Sequence, residues 1–299
     1  GHGRQLLTVE NLAEAERLHP VQQAMVDCHG AQCGFCTPGI VMSLFAWRHA
    51  ACAHDRESAL TALSGNLCRC TGYRPILDAA GKIAAEPDAD RFSANEQAIA
   101  ERLRSLPADA SLDCDEQHAF LPTSLDALDT LLMDYPQARL VAGATDLALE
   151  ATQALKSFPQ LIHLERVAEL RRLEEHPDHL LIGAARPYAD CLDALHAFPG
   201  VPELLERLGS LQIRQRGTLG GNVANASPIG DMPPVLLALD ARLRLRRAGK
   251  VREVPVDGFF TGYRQSVLQP GEYIESIVIP RLAGGQLFRV DKISKRRDD

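Results

Sequence analysis

Gln32-Cys33-Gly34-Phe35-Cys36-Thr37-Pro38-Gly39 and, further along, Asn66-Leu67-Cys68-Arg69-Cys70-Thr71-Gly72-Tyr73 are the two segments whose reading decides the fold. Each is a short chelating pair, Cys-x-x-Cys and then Cys-x-Cys, so four thiolates from two turns can meet at one point if helices bring the turns together. Four sulfurs suit zinc or a two-iron cluster, while buried apolar cysteines or a reactive dithiol remain the plainer readings. Structural zinc more commonly uses two Cys-x-x-Cys knuckles, so the Cys-x-Cys spacing favours the cluster.

The surrounding sequence supplies the helices. From Gly39 to Ala51 the apolar run Ile40-Val41-Met42-Ser43-Leu44-Phe45-Ala46-Trp47 predicts a buried helix, with Pro38 in its first turn and Cys36 just before its N-terminus. The partial positive charge there stabilises thiolates. A second helix is expected over Ser58 to Leu63, and a third from Arg74-Pro75 through Ile76, Leu77, Ala80 and Ile83. Six of the eight cysteines fall in this stretch, which marks residues 1–85 as a separate helical module. Cys28, Cys52, Cys114 and Cys191 read as small buried hydrophobes or incidental thiols and are assigned no function.

The chain of 299 residues has length for about two domains. A net charge of −7 and a pI near 5.8 give no overall reason to seek nucleic acid. No apolar run approaches the roughly 18–20 residues of a membrane span, and no signal segment stands at the start, so a reducing cytoplasm is expected. The first residue is Gly1 rather than methionine, so a cleaved, trimmed or engineered piece is expected.

Between Glu86 and His118 nine acidic residues face only Arg91, Arg102 and Arg104. Such a stretch buries little apolar surface, so residues 86–121 are expected to be a linker with at most a short helix over Asn95 to Ser105. After Pro122 the pattern becomes mixed: helix (Ser124 to Met133), strand (Arg139 to Ala142), glycine turn, helix (Asp146 to Ala154), strand (Leu161 to Leu164). Leu180 to Ala184, Ala241 to Arg247, Val251 to Val256 and Tyr273 to Ile279 read as further strands. The basic strand around Arg242, Arg244 and Arg246 alternates with Leu243 and Leu245, which predicts one solvated face rather than a nucleic-acid surface. The fold class expected is α+β multidomain, with residues 122–299 as a mixed α/β domain.

Two segments of that domain have ligand-binding chemistry. Leu140-Val141-Ala142-Gly143-Ala144-Thr145-Asp146-Leu147 runs from a strand through small residues into a helix, a turn that lets backbone N–H groups approach a pyrophosphate, though it lacks G-x-G-x-x-G spacing and a Walker lysine. Gly217-Thr218-Leu219-Gly220-Gly221-Asn222-Val223-Ala224-Asn225-Ala226-Ser227-Pro228-Ile229-Gly230-Asp231 offers backbone donors, hydroxyls, amides and a carboxylate along one loop.

The string from His29 to Gly39, together with Gly65 to Ile76, closely resembles the xanthine dehydrogenase family of molybdenum hydroxylases. The resemblance implies a four-helix domain holding a [2Fe-2S] cluster on Cys33, Cys36, Cys68 and Cys70, with Gln32 close to the molybdopterin cofactor carried by a partner. The glycine-rich segment and the 140–147 turn resemble the family's FAD-binding segments, and Phe259-Phe260-Thr261-Gly262-Tyr263-Arg264 also fits. Carried over position by position, residues 140–147, Thr218, Gly221, Asn222, Asn225, Ser227, Asp231, Ile274 and Lys292 would contact FAD in a domain of the CO dehydrogenase flavoprotein type. The implied function is an electron relay from molybdenum through the cluster and FAD to NAD, in a heterotetramer of two small and two molybdenum-binding large subunits. Related aldehyde or N-heterocycle hydroxylases, or a zinc-containing assembly module, are the alternatives. The family's ferredoxin-like half and its C-terminal flavoprotein subdomain would lie beyond the two ends of this sequence.

Overall fold

A computed structural model describes residues 3–85, 90–107 and 110–295. Contacts divide the chain into two compact units, Gly1–Pro107 and Ala108–Asp299.

In the first unit α1 (Pro20–Asp27), α2 (Thr37–Arg48), α3 (Arg56–Leu63) and α4 (Arg74–Ala84) pack around Val21, Met25, Ile40, Leu44, Ile76 and Ile83. The starts are set locally: prolines stand in the first turns of α1, α2 and α4, and the Asp55 carboxylate accepts from the Ser58 N–H at the start of α3. This is the helical module the apolar runs predict and the family resemblance implies. A fifth helix, α5 (Arg91–Arg104), is capped by Asp90, which accepts from the N–H groups of Phe92 and Ser93. The same carboxylate lies 2.9 Å from His19 and 3.0 Å from His49. Burial pushes the Asp90 carboxyl up, but the Ser93 N–H and the two imidazoles outweigh it and hold it well below the usual range.

The expected linker over 86–121 is therefore largely folded. Residues 86–89 lie outside the described residues, α5 belongs to the first unit, and β1 (Ala110–Cys114) and β2 (Gln117–Leu121) form an antiparallel hairpin in the second. The hairpin is exposed along most of β1, so little apolar alternation marks it, yet Phe120 packs on a buried cluster around Leu128 and Ile162.

The second unit continues with α6 (Leu125–Asp134), β3 (Arg139–Val141), α7 (Leu147–Thr152) and β4 (Gln160–His163), giving a four-stranded sheet of order β1-β2-β4-β3. Then follow β5 (Leu173–Glu175), β6 (His179–Gly183), the short helices α8 (Leu192–Leu195), α9 (Val201–Glu206), α10 (Leu211–Arg214), α11 (Leu219–Ala224) and α12 (Met232–Ala238), and β7 (Arg242–Arg247) and β8 (Lys250–Pro255). A ribbon of β9 (Phe260–Gly262) and β10 (Gln265–Ser266) precedes β11 (Tyr273–Pro280). The second sheet is antiparallel, in the order β5-β6-β11-β7-β8.

Leu243 and Leu245 are fully buried, as their alternation predicts. The opposite face of β7 is less solvated than expected, because the Arg246 side chain is only 14% exposed and meets Asp129 of α6 at 2.9 Å. Asp129 also accepts from the Gly249 N–H and the Tyr273 hydroxyl, each at 2.9 Å, so one buried carboxylate ties α6 to β7, β11 and the β7–β8 turn. Asp129→Ala would leave the phenol and the Gly249 N–H without their acceptor and Arg246 with its looser 3.5 Å pairs to Glu275 and Asp126, a loss of about 1–3 kcal/mol. We expect a correspondingly lower denaturant midpoint for the second unit; a shift under about 1 kcal/mol would show the network to be solvent-compensated.

Candidate functional site

The two cysteine turns meet at the N-terminal ends of α2 and α4. Cys36 is the residue before α2, as expected, and the Asn66 amide donates to the Ser43 hydroxyl at 2.7 Å, fastening the second turn to that helix. Tyr73, in the left-handed region with φ 68°, starts α4, and its hydroxyl accepts from the Cys68 N–H at 2.9 Å.

The four sulfurs come near one another across the two turns. Cys70 and Cys33 are 3.3 Å apart, and Cys36 and Cys68 lie close enough to act on each other. Cys68 sits 3.1 Å from the Thr71 hydroxyl, and that contact, with the Thr71 N–H, holds its thiol down to about 7. Burial pushes the Cys36 thiol up. The Phe35 N–H and Cys70 favour the thiolate of Cys33, and Cys70 is raised by donating to it. Among the described residues no three His, Cys, Asp or Glu side chains are gathered tightly enough for a single metal ion.

This donor set fits a two-iron cluster, which takes two ligands per iron. The Thr37 hydroxyl, shielded beside Cys36 and without a partner among the described residues, is a donor such a group would use. Gln32 is exposed next to Cys33, and the apolar side chains of Phe35 and Leu67 stand in solvent around the turns.

In the second unit β3 leads into the 142–146 turn, which is pressed against the backbone of Arg216 and Gly217. A Cβ on Gly143 would lie 1.8 Å from the Arg216 carbonyl oxygen. The glycine-rich segment is not one loop: Thr218 caps α11 by accepting from the Gly221 N–H at 3.0 Å, and only the residues after α11 form a loop. Two glycines argue against a helix on propensity, but a Cβ on Gly220 would lie 2.5 Å from Ala184, so the close packing requires one of them.

The turn and α11 border a cavity of about 440 Å³, within the range of cofactor sites. Residues 140–147, Thr218, Gly221, Asn222, Asn225 and Ile274 all line it. The Asp146 carboxylate accepts from the Asn225 amide across its mouth. Ser227, Asp231 and Lys292 are not among its lining residues; Lys292 instead donates to Asp231 at 3.0 Å and to the Arg207 carbonyl at 3.2 Å. A larger hollow of about 680 Å³ is bounded only by residues 14–23 and gathers no comparable set of backbone donors.

Two polar atoms at the cavity are left over. The Asn222 Oδ1 and the Tyr188 hydroxyl are buried and without a partner among the described residues, as a site shaped for a polar ligand would leave them. Tyr188 was not legible in the sequence, since it sits in a plain Arg-Pro-Tyr stretch and reaches the cavity only through packing.

Comparison with known proteins finds a matching domain family for each unit. Residues 8–81 match the family described as [2Fe-2S] binding domain, and residues 115–282 match the FAD binding domain in molybdopterin dehydrogenase. Xanthine dehydrogenase/oxidase of Mus musculus is 34% identical over 348 residues, covering 100% of this chain and 26% of the relative. Xanthine dehydrogenase of Drosophila subobscura is 33% identical over 357 residues, with the same coverage. The chain thus spans about a quarter of the length of these curated relatives.

Among solved structures, a carbon monoxide dehydrogenase from Hydrogenophaga pseudoflava superposes with a TM-score of 0.57 at 29% identity, over 60% of this chain and 64% of that one. Quinoline 2-oxidoreductase from Pseudomonas putida 86 gives 0.56 at 27% identity, over 60% and 63%. Two matched domains and relatives along its whole length place the chain in the xanthine dehydrogenase family of molybdenum hydroxylases, as the part that carries the [2Fe-2S] and FAD domains.

Proposed function

We propose that the chain is the electron-transfer part of a xanthine dehydrogenase, taking electrons from a molybdenum centre in a partner subunit and delivering them to NAD during oxidation of hypoxanthine and xanthine to urate. The observation that carries this reading is the union, in one chain, of the paired-cysteine turns and the flavin-type cavity, with 34% identity to a xanthine dehydrogenase/oxidase across the whole chain.

When bound, a [2Fe-2S] cluster supplies single-electron transfer and FAD supplies a two-electron store with hydride transfer. The chain's own residues hold these groups. Cys33, Cys36, Cys68 and Cys70 bind iron as thiolates, with Thr71 and Thr37 donating hydrogen bonds beside them. Residues 140–147, Thr218, Gly221, Asn222, Asn225 and Ile274 bind FAD in the cavity, and Ser227, Asp231 and Lys292, which lie outside its lining, join them by the family resemblance. Gln32 faces the molybdopterin of the partner, in a heterotetramer of two small and two large subunits. No catalytic side chain is assigned, because substrate oxidation belongs to the partner. The compartment proposed is the cytoplasm; no helix among the described residues is long and apolar enough to cross a membrane.

The likeness to quinoline 2-oxidoreductase favours one second reading, a subunit acting in N-heterocycle oxidation. Iron, zinc and extractable flavin measured on anaerobically purified protein, with its visible spectrum, test the assignment. We expect two irons and one FAD per chain, zinc-free, and bleaching of the flavin by NADH. Zinc without iron or flavin, persisting after reconstitution with iron, sulfide and FAD, would make the chain an assembly module. Full cofactors that NADH leaves oxidised would remove NAD as the acceptor.

A further inference from the structure

We propose that Tyr188 is a direct ligand of the bound dinucleotide, its hydroxyl donating a hydrogen bond to an oxygen of the pyrophosphate. This rests on the reading of the cavity as the FAD site. Tyr188 is 3% exposed, lines the cavity, and its hydroxyl has no partner among the described residues. A buried phenol without a partner costs stability, so its retention calls for an acceptor that arrives with a ligand.

The surroundings show that the protein supplies no acceptor. The carboxylates of Asp146 and Asp231 act on the phenol electrostatically, yet neither is a hydrogen-bond partner of its hydroxyl; they hold Asn225 and Lys292 instead. The Cys191 thiol, the other near group, donates to the Pro187 carbonyl at 3.3 Å. Burial pushes the Tyr188 phenol up, so at neutral pH it keeps its proton and acts as a donor.

Position selects the pyrophosphate among the ligand's acceptors. The Tyr188 N–H donates to the Gly217 carbonyl at 2.9 Å, and Pro187 bridges to Thr218. A Cβ on Gly217 would lie 3.4 Å from the Tyr188 ring, and Gly143 of the phosphate-type turn is pressed on the same Arg216–Gly217 backbone. Tyr188 and the small-residue turn therefore meet at Gly217, on the wall of the cavity that the phosphate-type turn forms.

Tyr188→Phe removes the hydroxyl and nothing else. On the full chain stripped of flavin, FAD titration should show affinity weakened roughly ten- to a hundredfold, the range for a hydrogen bond to a charged group. Flavin-free Tyr188→Phe should melt about 2–4 °C higher, because an unsatisfied buried hydroxyl is gone. The phosphorus NMR signals of bound FAD should also shift. A purely structural tyrosine would give the opposite change in melting, and a lower melting temperature or a misfolded variant overturns the proposal. Unchanged FAD affinity, or weakened binding with unmoved phosphorus signals, overturns it as well while leaving the flavin site in place. Failure of the wild-type chain to bind FAD at all would instead overturn the flavin reading on which the proposal rests.

Discussion

Gly143→Ala should yield a chain that keeps its iron and loses its flavin. The added methyl would sit 1.8 Å from the Arg216 carbonyl oxygen, 2.5 Å from its carbon and 3.0 Å from the Gly217 nitrogen. These are backbone atoms, so no rotamer change relieves the clash, and the 142–146 turn has to lift from the segment that leads into α11. Overpacking of this kind costs about 1–3 kcal/mol. The same displacement widens the gap between the two walls of the cavity and takes their N–H groups off a common ligand. At about 1.4 kcal/mol per tenfold, FAD affinity should fall roughly ten- to a hundredfold and more where both walls lose contact. Flavin-to-protein and iron-to-protein ratios on the purified variant check this. Stoichiometric flavin in Gly143→Ala would mean that the turn is not a wall of the binding site.

Cys68→Ser should have the complementary effect. Cys68 lies against the helical core, bonds with Thr71 and faces Cys36 across the turns. A hydroxyl is a harder and less acidic ligand than a thiolate, so the pair can no longer hold iron as a soft donor set. We expect iron at background, loss of the sulfur-to-iron absorption, and full retention of FAD, because the second unit has its own cores around Leu180 and Leu128. The apo first unit should also become the preferred site of proteolysis, since a group bound only by the folded state contributes its binding energy to folding. An iron-replete Cys68→Ser chain would remove Cys68 from the ligand set.

Much of this was readable because its causes are local. The α2 start depends on Pro38 and the apolar run behind it, and the β7–β8 hairpin on Leu243 and Leu245 alternating about the turn at Gly249. The cysteine pairs were legible as donors because chelation within a turn needs only short spacing, but which sulfur pairs with which across the turns follows from how α2 and α4 pack. The hairpin of β1 and β2 escaped because its outward strand is polar and exposed, so it has the composition of a linker. The helix α11 escaped because its Gly220 serves the approach of Ala184, a contact distant in sequence. Tyr188 and Asp129 are of the same kind: each is an ordinary residue whose importance comes from buried partners, or from the lack of one, far along the chain.

The strand order β5-β6-β11-β7-β8 has a consequence for the nascent protein. β11 occupies the middle of its sheet yet is the last of these five strands to be synthesised, so β6 and β7 have no common neighbour until residue 280 has left the ribosome. At roughly 5–20 residues per second, the first unit has about ten to thirty seconds to fold before that strand exists. Helical contacts close quickly in that interval, whereas the sheet that backs the cavity waits for a single late insertion. Maturation is thus ordered in time by topology: the cysteine turns are ready for metal while the cavity still lacks Tyr273 and Ile274 on its wall.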